Sequence, residues 1–370
     1  MKKGTKRLIA AALGAATGTA AVKAVHNTSK NLADMAMNRE LPETASQSKQ
    51  EAGKPRHSES RAGAMARPAS MICWRKSRTI SGSAKDQELE NRKNAAADRL
   101  RNSEYKTVEI TAHDGIRLTG HFHLVENPKR TVIAVHGWRS SWAREFGLIA
   151  DFLYKNGCNV LYIEQRAHGE SDGEYIGFGL LERFDLLEWI DWINAQRNKQ
   201  EDSQVNSQCQ DLSALPIYLF GLSMGAATVL MTAGESLPAN VHGVIADSGY
   251  TSPHDEWKHV AENNLHYHYK LMEKYVDKLS MERIGFTSDE YSATQAMQEC
   301  RTPVLFIHGT DDTFVPIEMT YENYKACAAP KRLLVVPGAG HCQSYLLEQK
   351  RYEEELLRFW QEFDKVDADS

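Results

Sequence analysis

Ser223 stands in Gly221-Leu222-Ser223-Met224-Gly225, directly after the apolar run 217–220 and directly before the helix-forming run 226–231. A serine hydroxyl is a poor nucleophile near neutral pH unless a base lies within hydrogen-bond reach. A sharp turn from strand into helix is the setting that forces such a hydroxyl out at the edge of a sheet. The flanking glycines suit that setting, because a strained serine backbone leaves no room for side chains beside it. Two later segments have a related form. The apolar run 304–307 leads into His308-Gly309-Thr310-Asp311-Asp312, and the run 333–336 leads into Pro337-Gly338-Ala339-Gly340-His341. His341 is the candidate base, and a buried carboxylate must hold its ring in one tautomer and stabilise the imidazolium. Asp312 fits that place best. Its neighbour Asp311, and Asp247 at the end of an earlier apolar run, are the rivals.

These residues need a scaffold that brings three strand ends together. The segment 107–125 alternates apolar and polar residues across Asp114-Gly115, which reads as a hairpin. After it, short β-branched runs near Val132, Val160, Ile217, Val244, Val304 and Leu334 alternate with helical stretches near Trp142, Leu180, Met224, Glu318 and Tyr345. That alternation predicts an α/β fold, a mostly parallel sheet covered by helices on both faces. Between Tyr250 and Cys300 the pattern changes to a polar and aromatic stretch holding His254, Trp257, His259, His266 to Tyr269 and Tyr275. It reads as a helical insertion.

The order serine, acid, histidine, each after a strand, resembles the α/β-hydrolase superfamily from about residue 105 to the C-terminus. Within it, His308-Gly-x-x-Asp312-x-x-Val315-Pro316 is similar to the acid loop of the bacterial esterase and acyl-peptidase branch. Glu164-x-Arg166-x-x-Gly169-x-Ser171 is similar to its post-strand loop. The resemblance implies the α/β-hydrolase fold, a serine hydrolase with carboxylesterase-like activity, and a lid over the site at 250–300. It implies an oxyanion hole from the backbone N–H groups of Trp138 and Met224, the first following His136-Gly137 and the second the nucleophile. The substrate expected is a small-molecule ester or acyl compound, and no cofactor is required. A peptidase or acyl-aminoacyl hydrolase is the nearest alternative, and an inactive tethered binding module another.

The remaining residues carry less. His136 and His308 are expected as buried histidines held by loop backbone, and Glu164, Arg166 and Ser171 as an ion pair with hydrogen bonds that fix the loops below the site. Arg139 and Arg144 could meet a substrate carboxylate or simply be solvated. His266 and His268 lack the partners that a metal site needs. With a formal net charge of -5, no basic surface is implied and nucleic acid is not expected as a partner. Six scattered cysteines without CxxC pairs favour reduced thiols.

The chain divides into 1–40, 41–104 and the hydrolase domain 105–370. Lys2, Lys3, Lys6 and Arg7 precede an apolar, Ala- and Gly-rich stretch to Val25. This reads as a signal or membrane anchor at 1–25, or as a cytosolic leader. Residues 41–104 lack a sustained apolar period and read as a spacer with a helical stretch near 86–100. An apolar island, Met71 to Trp74, stands alone within it.

Overall fold

Eight strands form one sheet in the order β1-β2-β4-β3-β5-β6-β7-β8. The computed structural model describes residues 18–40, 84–196 and 215–364. The strands are β1 (Lys106–Thr111), β2 (Arg117–His123), β3 (Arg130–Val135), β4 (Cys158–Ile163), β5 (Ile217–Leu222), β6 (Val241–Asp247), β7 (Val304–Gly309) and β8 (Lys331–Val336). β1 and β2 are the expected hairpin, turning at Gly115 with φ 86°. β2 also pairs antiparallel with β4, and every later pairing is parallel.

β3, β4, β5 and β7 are buried at every position. This is why they read as continuous Val, Ile and Leu runs rather than as alternations. One apolar cluster fills the face that holds Trp189, Met224 and Met297. A second fills the opposite face around Phe146, Phe220 and Trp360. The register places Leu222 opposite Asp247, Asp247 opposite Ile307 and Gly309 opposite Val336. The carboxyl ends of β5 to β8 therefore finish at one edge, and loops leaving them can meet.

The insertion between β6 and β7 holds helices Pro253–His259, Glu273–Ile284 and Ala293–Glu299, with a wide turn at Val260–Asn264. Ser252 and Ser292 start the first and last of these by accepting from Asp255 N and Gln295 N.

Two helices lie in the stretches set apart by sequence as leader and spacer. Gly18–Met37 packs against Glu273–Ile284 and buries Leu32, Ala33, Ala36 and Met37. Among the described residues, no helix is long and apolar enough to cross a membrane. Of the expected anchor at 1–25, residues 18–25 fall in this helix, with Val25 partly buried against the core; residues 1–17 and the island 71–74 lie outside the described residues. Ala84–Arg101 packs against the short helix Trp142–Phe146 through Ala96, Ala97 and Leu100. A side chain at Gly147 would come within 2.7 Å of the Ala96 backbone, so that contact is close.

Candidate functional site

Ser223 follows β5 with φ 56° and ψ -120°, a conformation that a residue with a side chain rarely adopts. Its surroundings impose it. A Cβ on Gly221 would lie 2.1 Å from Gly225 O, and one on Gly225 would lie 2.0 Å from Val135 O. The helix after Ser223 thus leaves the strand at a distance that only glycine permits. The Ser223 N–H donates to Asp247 O at 2.9 Å, tying the turn to β6.

His341 Nε2 lies 2.8 Å from Ser223 Oγ, and His341 Nδ1 lies 2.7 Å from Asp312 Oδ2. With the carboxylate on Nδ1, that nitrogen carries the proton and Nε2 is left to accept from the serine. The other oxygen, Asp312 Oδ1, accepts from the N–H groups of Phe314 and Val315, each at 2.9 Å. His308 Nε2 adds a contact at 3.2 Å. Burial pushes the Asp312 carboxyl upward, but the His341 charge and the hydrogen bonds from His308 and His341 outweigh it. The group is held well below the usual carboxylate range. The Phe314 ring stands edge-on to His341 at 5.0 Å and covers it.

The rivals for the acid are elsewhere. Asp311 is exposed and accepts from Thr310 Oγ1. Asp247 is buried and accepts from Ser248 Oγ at 3.0 Å and from the Tyr352 hydroxyl at 3.1 Å. Burial pushes its carboxyl up to about 6.

The loop after β3 abuts the serine: a Cβ on Gly137 would stand 3.1 Å from Ser223 Cβ. Trp138 follows it, while Met224 begins the helix after Ser223. His136 is fully buried, with Nδ1 donating to Gly137 O at 2.8 Å and Nε2 accepting from Gln165 N at 3.2 Å. His308 meets Thr320 Oγ1 and Val315 O. Both rings are therefore held by the loops they fold under. No cluster that could hold a metal ion occurs among the described residues.

Three expectations need correction. Arg166 pairs with Asp185 through two contacts of 2.6 Å and with Asp114 at 2.9 Å, whereas Glu164 meets His121 at 3.1 Å, so Glu164 and Arg166 do not pair with each other. Ser171 does bind the loop, donating to Glu164 O and accepting from Thr119 N. Arg144 is bound to Asn94 and Glu90 of the helix Ala84–Arg101. Arg139 reaches the carbonyls of Met35, Asn38 and Arg39 at the end of the N-terminal helix. Neither arginine is presented to a substrate carboxylate. Sequence reasoning missed this use of Arg139 because its acceptors are backbone groups a hundred residues away.

The alpha/beta hydrolase family matches residues 132–355, more than half of the chain. The chain belongs to that family. Among curated relatives it is similar to the uncharacterized protein YqkD of Bacillus subtilis, 25% identical over 66% of this chain and 75% of that one. It is also similar to the uncharacterized protein YfhR of Escherichia coli K12, 26% identical over 65% and 74%. Among solved structures, the esterase Pf2001 of Pyrococcus furiosus is similar with a TM-score of 0.55, at 24% identity over 77% of this chain and 98% of that one. The acylaminoacyl peptidase of Pyrococcus horikoshii is similar with a TM-score of 0.51, at 15% identity over 72% and 43%. These likenesses share the family fold.

Proposed function

We propose that the protein is a serine hydrolase that cleaves carboxylic esters. The reading rests on the hydrogen-bonded chain Ser223–His341–Asp312. Ser223 Oγ attacks the acyl carbon while His341 Nε2 takes its proton. The carbonyl oxygen becomes an oxyanion that accepts from the N–H groups of Trp138 and Met224, one such donor contributing about 3 to 4 kcal/mol. The oxyanion collapses, the alkoxide leaves with the proton from His341, and an acyl-serine remains. Water then gives its proton to His341, attacks the acyl carbon and releases the acid, and Ser223 Oγ recovers its proton. Asp312 stays ionised throughout and stabilises the imidazolium. No cofactor enters any step. The helical insertion at 250–300 serves as the lid that shapes the substrate pocket.

A p-nitrophenyl ester series assayed on the full chain and on Ser223→Ala tests the reading. Loss of turnover by at least about 10⁴-fold in the variant, with its melting temperature retained, is the expected result. Activity that survives the substitution refutes it. Likeness to the Pyrococcus horikoshii peptidase favours amide cleavage as a second reading, although the match spans 43% of that protein. Comparing each ester with its matched amide separates the two: equal rates on the amide would select the peptidase.

A further inference from the structure

The loop after β3 closes as a tight turn: Ser140 N donates to Gly137 O at 3.3 Å, and Arg139, third in the turn, has φ 49°. Glycine or asparagine is usual at such a place, because a β-carbon strains the left-handed conformation. An arginine there is held by contacts from outside the turn. One is His168, whose Nε2 accepts from Arg139 N at 3.0 Å while its Nδ1 donates to Arg166 O at 2.9 Å. Burial pushes His168 well below the usual histidine range, so the ring stays neutral and Nε2 remains an acceptor.

The other is the end of the helix Gly18–Met37. The Arg139 guanidinium donates to Met35 O at 3.1 Å, to Arg39 O at 3.2 Å and to Asn38 O, and the Trp138 indole donates to Ala36 O at 2.8 Å. The last carbonyls of a helix lack partners within it and form the negative end of its dipole, so they suit a cation. Among the described residues no carboxylate pairs with Arg139, and burial pushes its guanidinium down to about 10, so it stays charged near neutral pH. The helix end is itself fixed. Ile176 N donates to Met37 O at 2.6 Å, Arg39 N donates to Glu174 O at 2.7 Å, and Asp34 pairs with Arg283 of the insertion.

We propose that Arg139 is a positioning residue: with the Trp138 indole it clamps the turn 137–140 to the helix end and so keeps the Trp138 N–H aimed at the oxyanion. The inference rests on the esterase reading and makes the N-terminal helix part of the same site. An oxyanion donor works only within hydrogen-bond reach of the place where the charge develops. A displacement of about 1 Å there costs about 10²-fold in rate. The turn has a strained residue at its third place, and Gly137, its first residue, abuts Ser223. Released from the clamp, the turn relaxes toward negative φ at Arg139 and carries the neighbouring peptide groups with it. Arg139 acts through Trp138 and touches no reacting atom.

The test uses p-nitrophenyl acetate on the full chain, on Arg139→Ala, on Arg139→Lys and on Trp138→Phe. A fluorophosphonate counts the active serines, and phenylboronic acid serves as a tetrahedral mimic of the intermediate. In Arg139→Ala, kcat per titrated serine is expected to fall about 10²-fold with KM within about threefold of the parent. The inhibition constant of phenylboronic acid should rise by about the factor that kcat loses, since both report the oxyanion donors. Arg139→Lys keeps the cation without the fork that reaches three carbonyls, and Trp138→Phe removes one bond of the clamp; each is expected to lose about tenfold. These two variants carry the test alone if Arg139→Ala does not fold. Unchanged kcat per titrated serine, whatever the melting temperature, assigns the clamp a purely structural role and overturns the proposal, while the esterase reading stands. A rise in KM with kcat retained would make Arg139 a substrate contact and overturns it as well. No hydrolysis by the parent, with Ser223 unlabelled by the fluorophosphonate, overturns the esterase reading and the clamp with it.

Discussion

Asp247 ends β6 and Asp312 follows β7, the strand paired beside it, and both side chains are buried. Desolvation acts upward on both carboxyls. Asp312 nevertheless sits far below the ordinary value, because the His341 charge and the hydrogen bonds from His308 and His341 outweigh its burial. Asp247 is offered only the hydroxyls of Ser248 and Tyr352 and rises to about 6. Burial alone does not decide whether a carboxylate can orient a histidine. The histidine rings that contact it, through charge and hydrogen bonds, do.

The sharpest way to break this contrast is Asp312→Asn, which keeps the shape and removes the charge. An amide cannot stabilise the imidazolium and leaves His341 free to adopt the wrong tautomer, so kcat on an ester should fall about 10⁴-fold. A fall of less than about tenfold would mean that another carboxylate serves His341. Next in size is Asp247→Asn, read by thermal unfolding at pH 5 and pH 8. An acid raised from 3.8 to about 6 in the fold contributes stability that is present below about 4 and lost as pH rises through 6. The parent should therefore lose about 1.4 kcal/mol relative to the variant between pH 5 and pH 8, the rest of a total of about 3 kcal/mol being lost already below pH 5. A stability difference independent of pH would show that Asp247 is ionised in the fold. Asp312 has the opposite sign: its contribution is present above about 4 and lost as pH falls below that value. The smallest effect is expected from Asp311→Asn, within about 0.5 kcal/mol in stability and about twofold in kcat, since the side chain is exposed. A large loss there would exchange the roles of the two neighbours.

The residues that proved easy to read were those whose local sequence carries their constraint. Gly221 and Gly225 announce the close approach around Ser223, and Gly340 precedes His341 after a recognisable strand. Asp312 was separated from Asp311 by loop position and from Asp247 by its place after β7, and the structure gives only Asp312 a contact with the His341 ring. The parts not legible are those whose docking depends on distant partners, even where the helix itself, as near 86–100, is expected. Ser29, Leu32, Ala33, Ala36 and Met37 are spaced as one helical face and are all buried. That face, beside an Ala-rich basic segment, carries no sign of the protein surface that it meets. Ala96, Ala97 and Leu100 bury an equally modest face. The binding of Arg139 by carbonyl oxygens has no sequence signature at all, because every residue carries the acceptor.

The ion pair between Asp34 and Arg283 joins residues 249 positions apart. During synthesis the helix Gly18–Met37 leaves the ribosome long before Arg139, Trp257 or Arg283 exist. Most of a protein helix's stability comes from packing its apolar face, so this one must wait for its partners until most of the chain has been made. Its docking then belongs among the last events of folding, and contacts of such long range are the slow ones. The hydrogen bonds that tie Trp138 and Arg139 to this helix would thus form only after Ser223 and its glycines had long been made.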